Sequence, residues 1–287
     1  MCQTRLRPYL VRLLMAVSIA THGCATWKPS GEEPQAVNHG LAPVVTAHDA
    51  VGIETILVRL SATQSQRLAQ AWSEMDEQAI APELRISLDR NGMRASKVSG
   101  HMSPLLEEWV RETIERVKTD PIEQAGMAAD ITSYSQLWRC REKSKKELTV
   151  RKLDSEAVAL VDYEKGPQLK VVESPHFLYS IQAAPIGISS AKVRLTPELQ
   201  YGGFVTRVVA KDATARMESQ RESLVWESLV IDLILKSGDC IVIGPSLESR
   251  GLGEHFFHTK TQAGEIQPVL LIVRLSESES DDAFSRH

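Results

Sequence analysis

Between residues 53 and 60 (IETILVRL) the apolar positions alternate. Ile56, Val58 and Leu60 share one face, with Leu57 and Arg59 on the other. A period of two predicts a strand. Directly after it the period lengthens. Thr63, with Gln66 three positions on, matches a capping box, and Leu68, Trp72 and Met75 recur at i, i+4 and i+7 as one helical stripe. Pro82 suits the first position of a second helix over 83–90, which Asn91-Gly92 stops, the glycine being suited to a left-handed cap. A short strand is predicted over 93–98. Ser103-Pro104 then opens a third helix reaching residue 118, with Glu107 and Glu108 in its first turn, where the helix dipole favours acids. Leu105, Leu106, Trp109, Val110, Ile114 and Val117 give that helix a broad apolar face.

After Asp120-Pro121 the pattern changes. A loop or weak helix is expected over 123–132, and from residue 133 strand periods dominate. Strands are predicted over 135–141, 146–153, 157–163, 168–172, 177–184, 190–198, 204–209, 224–235, 239–243 and 268–275. Lys165-Gly166-Pro167 and Ser237-Gly238-Asp239 are turn sequences between them. The fold class read from this order is α+β: a small α+β domain over 51–132, then a mostly antiparallel β-rich domain over 133–275. A serine-rich acidic tail over 276–287 (SESESDDAFSRH) is expected to be disordered.

The first 50 residues follow neither period. Arg5, Arg7 and Arg12 form a basic flank, Leu13 to Ala20 is an apolar run, and Cys24 follows Thr21-His22-Gly23. A basic flank, a short apolar core and a small residue before the cut are the marks of an export signal over 1–24. The run is too short for the roughly 20 residues a spanning helix needs. Its end resembles the lipobox of bacterial lipoproteins, in which a cysteine following a small residue is diacylated. The resemblance implies lipid attachment at Cys24 and a membrane partner reached through that lipid. The alternative is cleavage between Ala20 and Ala25 with release of a soluble chain. Residues 25–50 carry Pro29, Pro34, Pro43, Gly31 and Gly40, and read as a flexible tether.

Composition narrows the chemistry. The chain has 287 residues, a formal net charge of −4 and 5% aromatic residues. It therefore lacks the basic excess and stacking residues of a nucleic-acid binder, and no nucleic-acid partner is expected. There is no phosphate-binding glycine loop, since Gly251-Leu252-Gly253 lacks a third glycine and, as read here, a following helix. No Gly-x-Ser-x-Gly motif occurs, no catalytic residue is assigned, and no cofactor is expected. Glu254, His255 and His258 form Glu-His-x-x-His, a weak metal-ligand spacing on a helical turn. The glycines and phenylalanines around it argue for a loop with solvated histidines instead. Cys140 and Cys240 are candidates for a disulfide in an oxidising compartment, or for two buried thiols. Arg139, Arg141, Lys143, Lys145, Lys146, Arg151 and Lys152 form a basic run, read as a solvated hairpin or a contact for an anionic partner.

Three segments of the last third, Val193-Arg194-Leu195-Thr196-Pro197-Glu198, Ser228–Leu233 (SLVIDL) and Ser237–Gly244 (SGDCIVIG), together with the closing apolar stretch 268–275, resemble the C-terminal β-region of secretins, the ring-forming outer-membrane channel subunits. Pro245 stands where that family carries a second glycine. The resemblance implies a related β-fold and self-association. Three functions follow from the sequence: a non-catalytic envelope lipoprotein that binds or scaffolds another protein, a secretin-like oligomeric component of a secretion or channel assembly, and a periplasmic hydrolase with its site near His255 and His258.

Overall fold

The computed structural model describes residues 50–119, 135–153, 157–162, 168–186, 189–211, 214–260 and 265–276. All belong to one compact unit, Thr46–His287. The expected signal segment with Cys24, the tether up to residue 49, the 123–132 segment, the Lys165-Gly166-Pro167 turn and the tail from residue 277 lie outside the described residues.

The elements run β1 (Ala50–Arg59), α1 (Ala62–Ser65), α2 (Leu68–Ser73), α3 (Pro82–Arg90), β2 (Met93–Val98) and α4 (Pro104–Thr119). They continue with β3 (Ser135–Arg141), β4 (Lys146–Lys152), β5 (Ala157–Asp162), β6 (Gln168–Glu173) and β7 (His176–Pro185). The long strands β8 (Ser190–Lys211) and β9 (Thr214–Val225) follow, then a 3-10 turn (Glu227–Leu229), β10 (Ile231–Lys236), β11 (Cys240–Pro245), α5 (Gly251–Phe257), β12 (His258–Lys260) and β13 (Ile266–Leu275). The molecule is mixed but strand-rich, and its sheets are antiparallel.

The central sheet has the order β2-β11-β13-β1-β3, with β12 paired to β13. Both of its faces are covered. Ile53 and Leu57 of β1, Ile241 and Ile243 of β11, and Val269, Leu271 and Val273 of β13 point to one side. Ile56, Val58, Cys240, Val242, Leu270 and Ile272 point to the other. A sheet buried on both faces needs apolar residues at nearly every position, which is why 268–275 reads as an unbroken apolar run.

The second face is roofed by helices. Leu68, Ala71 and Trp72 of α2, with Leu105, Leu106, Trp109 and Val110 of α4, complete that core. The capping box lies two residues earlier than the sequence reading placed it. Ser61 is the N-cap, its side chain accepts from the Gln64 N–H, and Gln64 reaches back to the Ser61 N–H. The first face meets a second sheet, β10-β8-β7-β4, with β9 on the distal half of β8. Leu148, Phe177, Tyr179, Ile181, Val193, Leu195 and Leu235 come from that sheet into the shared core. The layers are thus helices, sheet, sheet. A β5-β6 hairpin is separate in its pairing.

Two expectations are corrected by this pairing. No boundary near residue 132 separates two successive domains, because β1 and β2 from before it pair directly with β13, β3 and β11 from after it. The basic run is not a hairpin, since β3 pairs with β1 and β4 with β7. Ser237-Gly238-Asp239 is the expected turn, with Gly238 at φ +84, and it passes the chain from β10 in the outer sheet to β11 in the central one.

Candidate functional site

Each residue singled out in the sequence has a definite place. Cys140 is buried in the core between the sheets, and Cys240 is buried under the helices. Both are free thiols. They lie on opposite faces of the central sheet, on strands three steps apart in the order β11-β13-β1-β3. Three steps of about 4.8 Å put the strands roughly 14 Å apart, against the ~7 Å Cα limit of a disulfide. The disulfide expectation is therefore overturned. Burial pushes the Cys240 thiol up to about 12 and raises that of Cys140, so neither is a ready nucleophile at neutral pH.

Glu254 and His255 lie on α5, a regular helical turn where the sequence reading expected a loop. Phe256 and Phe257 explain it: both are buried, and Phe256 packs edge-on against Phe177, Tyr179 and Trp226. Glu254 is exposed. The His255 ring stacks on Phe177, with centroids 5.8 Å apart and planes 7° from parallel. His258 already has extended backbone at φ −125, ψ 131, so the helical register that would aim two imidazoles at one ion breaks between them. Burial lowers the pKa of His258, and its Nδ1 meets no hydrogen-bond partner among the described residues. Among the described residues no group of three His, Cys, Asp or Glu side chains is placed to hold a metal.

The basic run disperses into separate contacts. Lys145 pairs with the buried carboxylate of Glu198 at 2.7 Å and with Glu147 at 3.5 Å. Lys146 lies 6.0 Å from the Trp138 ring. Arg151 donates to the His255 carbonyl at 3.2 Å, tying β4 to α5.

A larger concavity lies elsewhere than at these residues. A cavity of about 770 Å³ opens between α3, the start of β2 and the 246–250 segment. Pro82, Arg85, Ile86, Leu88, Asp89 and Arg90 line it from α3. Met93, Arg94 and Ala95 line it from β2, with Glu77 beside them and Ser246, Leu247, Glu248 and Arg250 opposite. Cys140, Cys240, Glu254, His255, His258 and the basic run are not among them. Arg94 forms an ion pair with Glu77 at 2.5 Å, and its guanidinium lies 5.1 Å from the Trp72 ring. Arg250 bridges Asp89 and Glu248, each at 2.9 Å, and also donates to the Asp89 carbonyl. That carbonyl, near the end of α3, also accepts the Gly92 N–H at 2.9 Å. Arg85 is different, because its Nε is buried and meets no acceptor.

Backbone packing ties together the segments that carry the cavity. Gly92, at φ +71, passes its carbonyl to the Ser246 N–H at 2.8 Å, and Asn91 passes its own to the Gly253 N–H at 2.7 Å. A Cβ on Gly253 would stand 1.9 Å from the Gly92 oxygen. Gly251-Leu252-Gly253, weighed above as a phosphate loop, is thus the first turn of α5 lying against the end of α3. No local spacing announces this site. Arg250 and Arg85 are 165 positions apart, and only the pairing of β2 with β11 brings their segments together.

The second surface feature is an arm. β8 is 22 residues long; its first part pairs with β10 and β7, while from Val205 onward it pairs with β9 alone among the described residues. A bulge at Tyr201/Val205, where Gly202 has φ +71, marks the departure. Lys170 pins the base by donating to the Tyr201 hydroxyl at 2.7 Å, and Arg221 donates to the Gly202 carbonyl at 2.8 Å and to that of Ser174. Phe204 and Met217 on the arm are each 75% exposed.

No described helix is long and apolar enough to cross a membrane. No family model matches the chain, and no curated protein or solved structure matches it either.

Proposed function

We propose that the chain is an exported protein of the bacterial cell envelope, held to a membrane by lipid at Cys24, that works by binding another protein and has no chemistry of its own. The N-terminal pattern of basic flank, apolar run and Gly23-Cys24 supports export and anchoring. The observation that carries the binding function is the β8-β9 arm. It stands beyond the core on a pinned base, exposes Phe204 and Met217, and leaves the outer edge of β9 unpaired among the described residues. An unpaired edge with apolar side chains is a template for a strand of another chain.

The same edge favours a second reading, in which the strand added is that of another copy, as the resemblance to secretins implies. One experiment separates the two. Full-length protein and a Phe204→Asp/Met217→Asp variant are purified in mild detergent and sized by light scattering, and a photo-crosslinking residue at position 219 traps neighbours in cells. Arm-dependent trapping of a defined protein, which then binds the purified chain at least about tenfold more weakly when the arm carries the aspartates, is the expected result. Oligomers that the aspartates dissolve would establish self-association instead. Crosslinking and sizing indifferent to the aspartates would sink both readings. Fractionation beside Cys24→Ala tests the anchor separately, with release from the membrane expected.

A further inference from the structure

We propose that the cavity between α3, β2 and the 246–250 segment is a binding site for a small amphipathic oxyanion: a carboxylate or phosphate group carried on an apolar body, with Arg85 as its ion partner. The site is distinct from the arm and does not depend on it.

Charge is the first argument. Four guanidinium groups and three carboxylates line the cavity. Arg94 is matched by Glu77, while Arg250 holds both Asp89 and Glu248. The cavity therefore keeps an excess of positive charge in a chain whose net charge is −4. Arg85 and Arg90 have no carboxylate partner among the described residues; Arg90 is exposed, whereas Arg85 is half-buried and its Nε is buried without an acceptor there. A buried guanidinium N–H without an acceptor is an unfavourable arrangement. An oxyanion in the cavity supplies the missing counter-charge to the guanidinium, and the planar fork of arginine matches carboxylate and phosphate in two-point geometry.

The second argument is the wall. Pro82, Ile86 and Leu247 contribute apolar surface, the last two standing more than half exposed at the lining. A bare inorganic ion gains nothing from such a wall, whereas an apolar body attached to the anion does. The volume of about 770 Å³ falls in the range of roughly 300–1,000 Å³ typical of small-molecule sites. The third argument is rigidity: the Asn91-Gly92 turn and the first turn of α5 hold each other through backbone hydrogen bonds, so the cavity is formed before a ligand arrives.

The test is calorimetric titration of the full chain with four probes: phenyl phosphate, benzoate, inorganic phosphate and phenol. Phenyl phosphate or benzoate should bind at least about tenfold more tightly than inorganic phosphate or phenol, since only they offer both halves of the ligand. The tighter of the two names the oxyanion. Arg85→Gln should weaken that binding by about tenfold or more, the loss of one charge-assisted hydrogen bond, and Arg85→Lys should recover part of it. Ile86→Asp, on an exposed position of α3, should weaken it without disturbing the core, and it decides the matter if Arg85→Gln fails to fold. Equal binding by wild type and both folded variants, or no binding of any probe, overturns the proposal.

Discussion

Asp239 shows how much one side chain holds together. Its carboxylate accepts the Lys236 N–H at 3.0 Å and the Gly100 N–H at 3.1 Å, and pairs with Lys97 at 2.9 Å. It thereby joins the turn between the two sheets to β2 and the loop after it. Burial works to raise its pKa, but the donors from Lys236, Lys97 and Gly100 outweigh burial and hold it below the ordinary carboxylate value. A depressed folded-state pKa contributes stability above the unfolded value of about 3.9 and loses it as pH falls through the folded one. Asp239→Asn should therefore cost about 1.5–3 kcal/mol at pH 7, the range for hydrogen bonds to a charged group. The difference from wild type should shrink as urea unfolding is repeated at pH values falling below about 4. A difference that holds constant down to pH 3 would remove the carboxylate from the account. The turn itself was legible, since Ser-Gly-Asp is turn chemistry. Its partners were not: Lys97 and Gly100 come from more than a hundred residues away. The capping box fell between the two cases. Ser61…Gln64 and Thr63…Gln66 both satisfy the pattern, and the early end of β1 at Arg59 selects the first.

At the scale of elements, strands facing a core were legible and strands without one were not. The edges of β2, β11 and β13 fall within two residues of their predicted positions, because alternation or unbroken apolarity follows from what they bury. β9 (TARMESQRESLV) has no such pattern, because it pairs only with β8 along an arm that departs from the core. Gly202-Gly203 read as a break between strands over 190–198 and 204–209, but they sit in a bulge within one strand, β8. The predicted strand over 224–235 is in turn broken at the 3-10 turn Glu227–Leu229. Helix ends were readable where the stop is chemical, as at Asn91-Gly92, but the purpose of that stop is tertiary. It receives α5, and the two backbones approach too closely for a side chain. Gly253→Ala should lower stability by about 1–3 kcal/mol, the usual cost of overpacking, because its Cβ meets backbone that must move. Gly203→Ala on the arm has open space around it and should change thermal stability little. Equal melting temperatures for the two variants would contradict the packing described here.

For the whole molecule, the order of segments along the chain misleads about how they fold. Helices gather before residue 120 and strands after 133, which suggests two domains in succession. The central sheet forbids that division, because its inner strands β1, β13 and β11 come from both ends of the chain and its two faces serve two different cores. Removing either half exposes apolar faces of the sheet to water. The two free cysteines turn this into a measurement. Cys140 reports on the core between the sheets and Cys240 on the core beneath the helices, and burial keeps both thiols protonated and inaccessible in the folded state. If the sheet couples the two cores, alkylation followed by peptide mass spectrometry should show both cysteines becoming reactive at the same urea concentration. That midpoint should coincide with the change in tryptophan fluorescence, to which Trp72 and Trp109 of the helical core and Trp226 of the core between the sheets all contribute, as two-state unfolding requires. Successive domains would give two midpoints, with Cys140 and Cys240 again reacting together but the helical core around Trp72 and Trp109 melting apart from them. Cys240 is the deciding residue: it lies late in the chain yet packs beneath helices that come early, so its protection must follow those helices if the fold is one cooperative body.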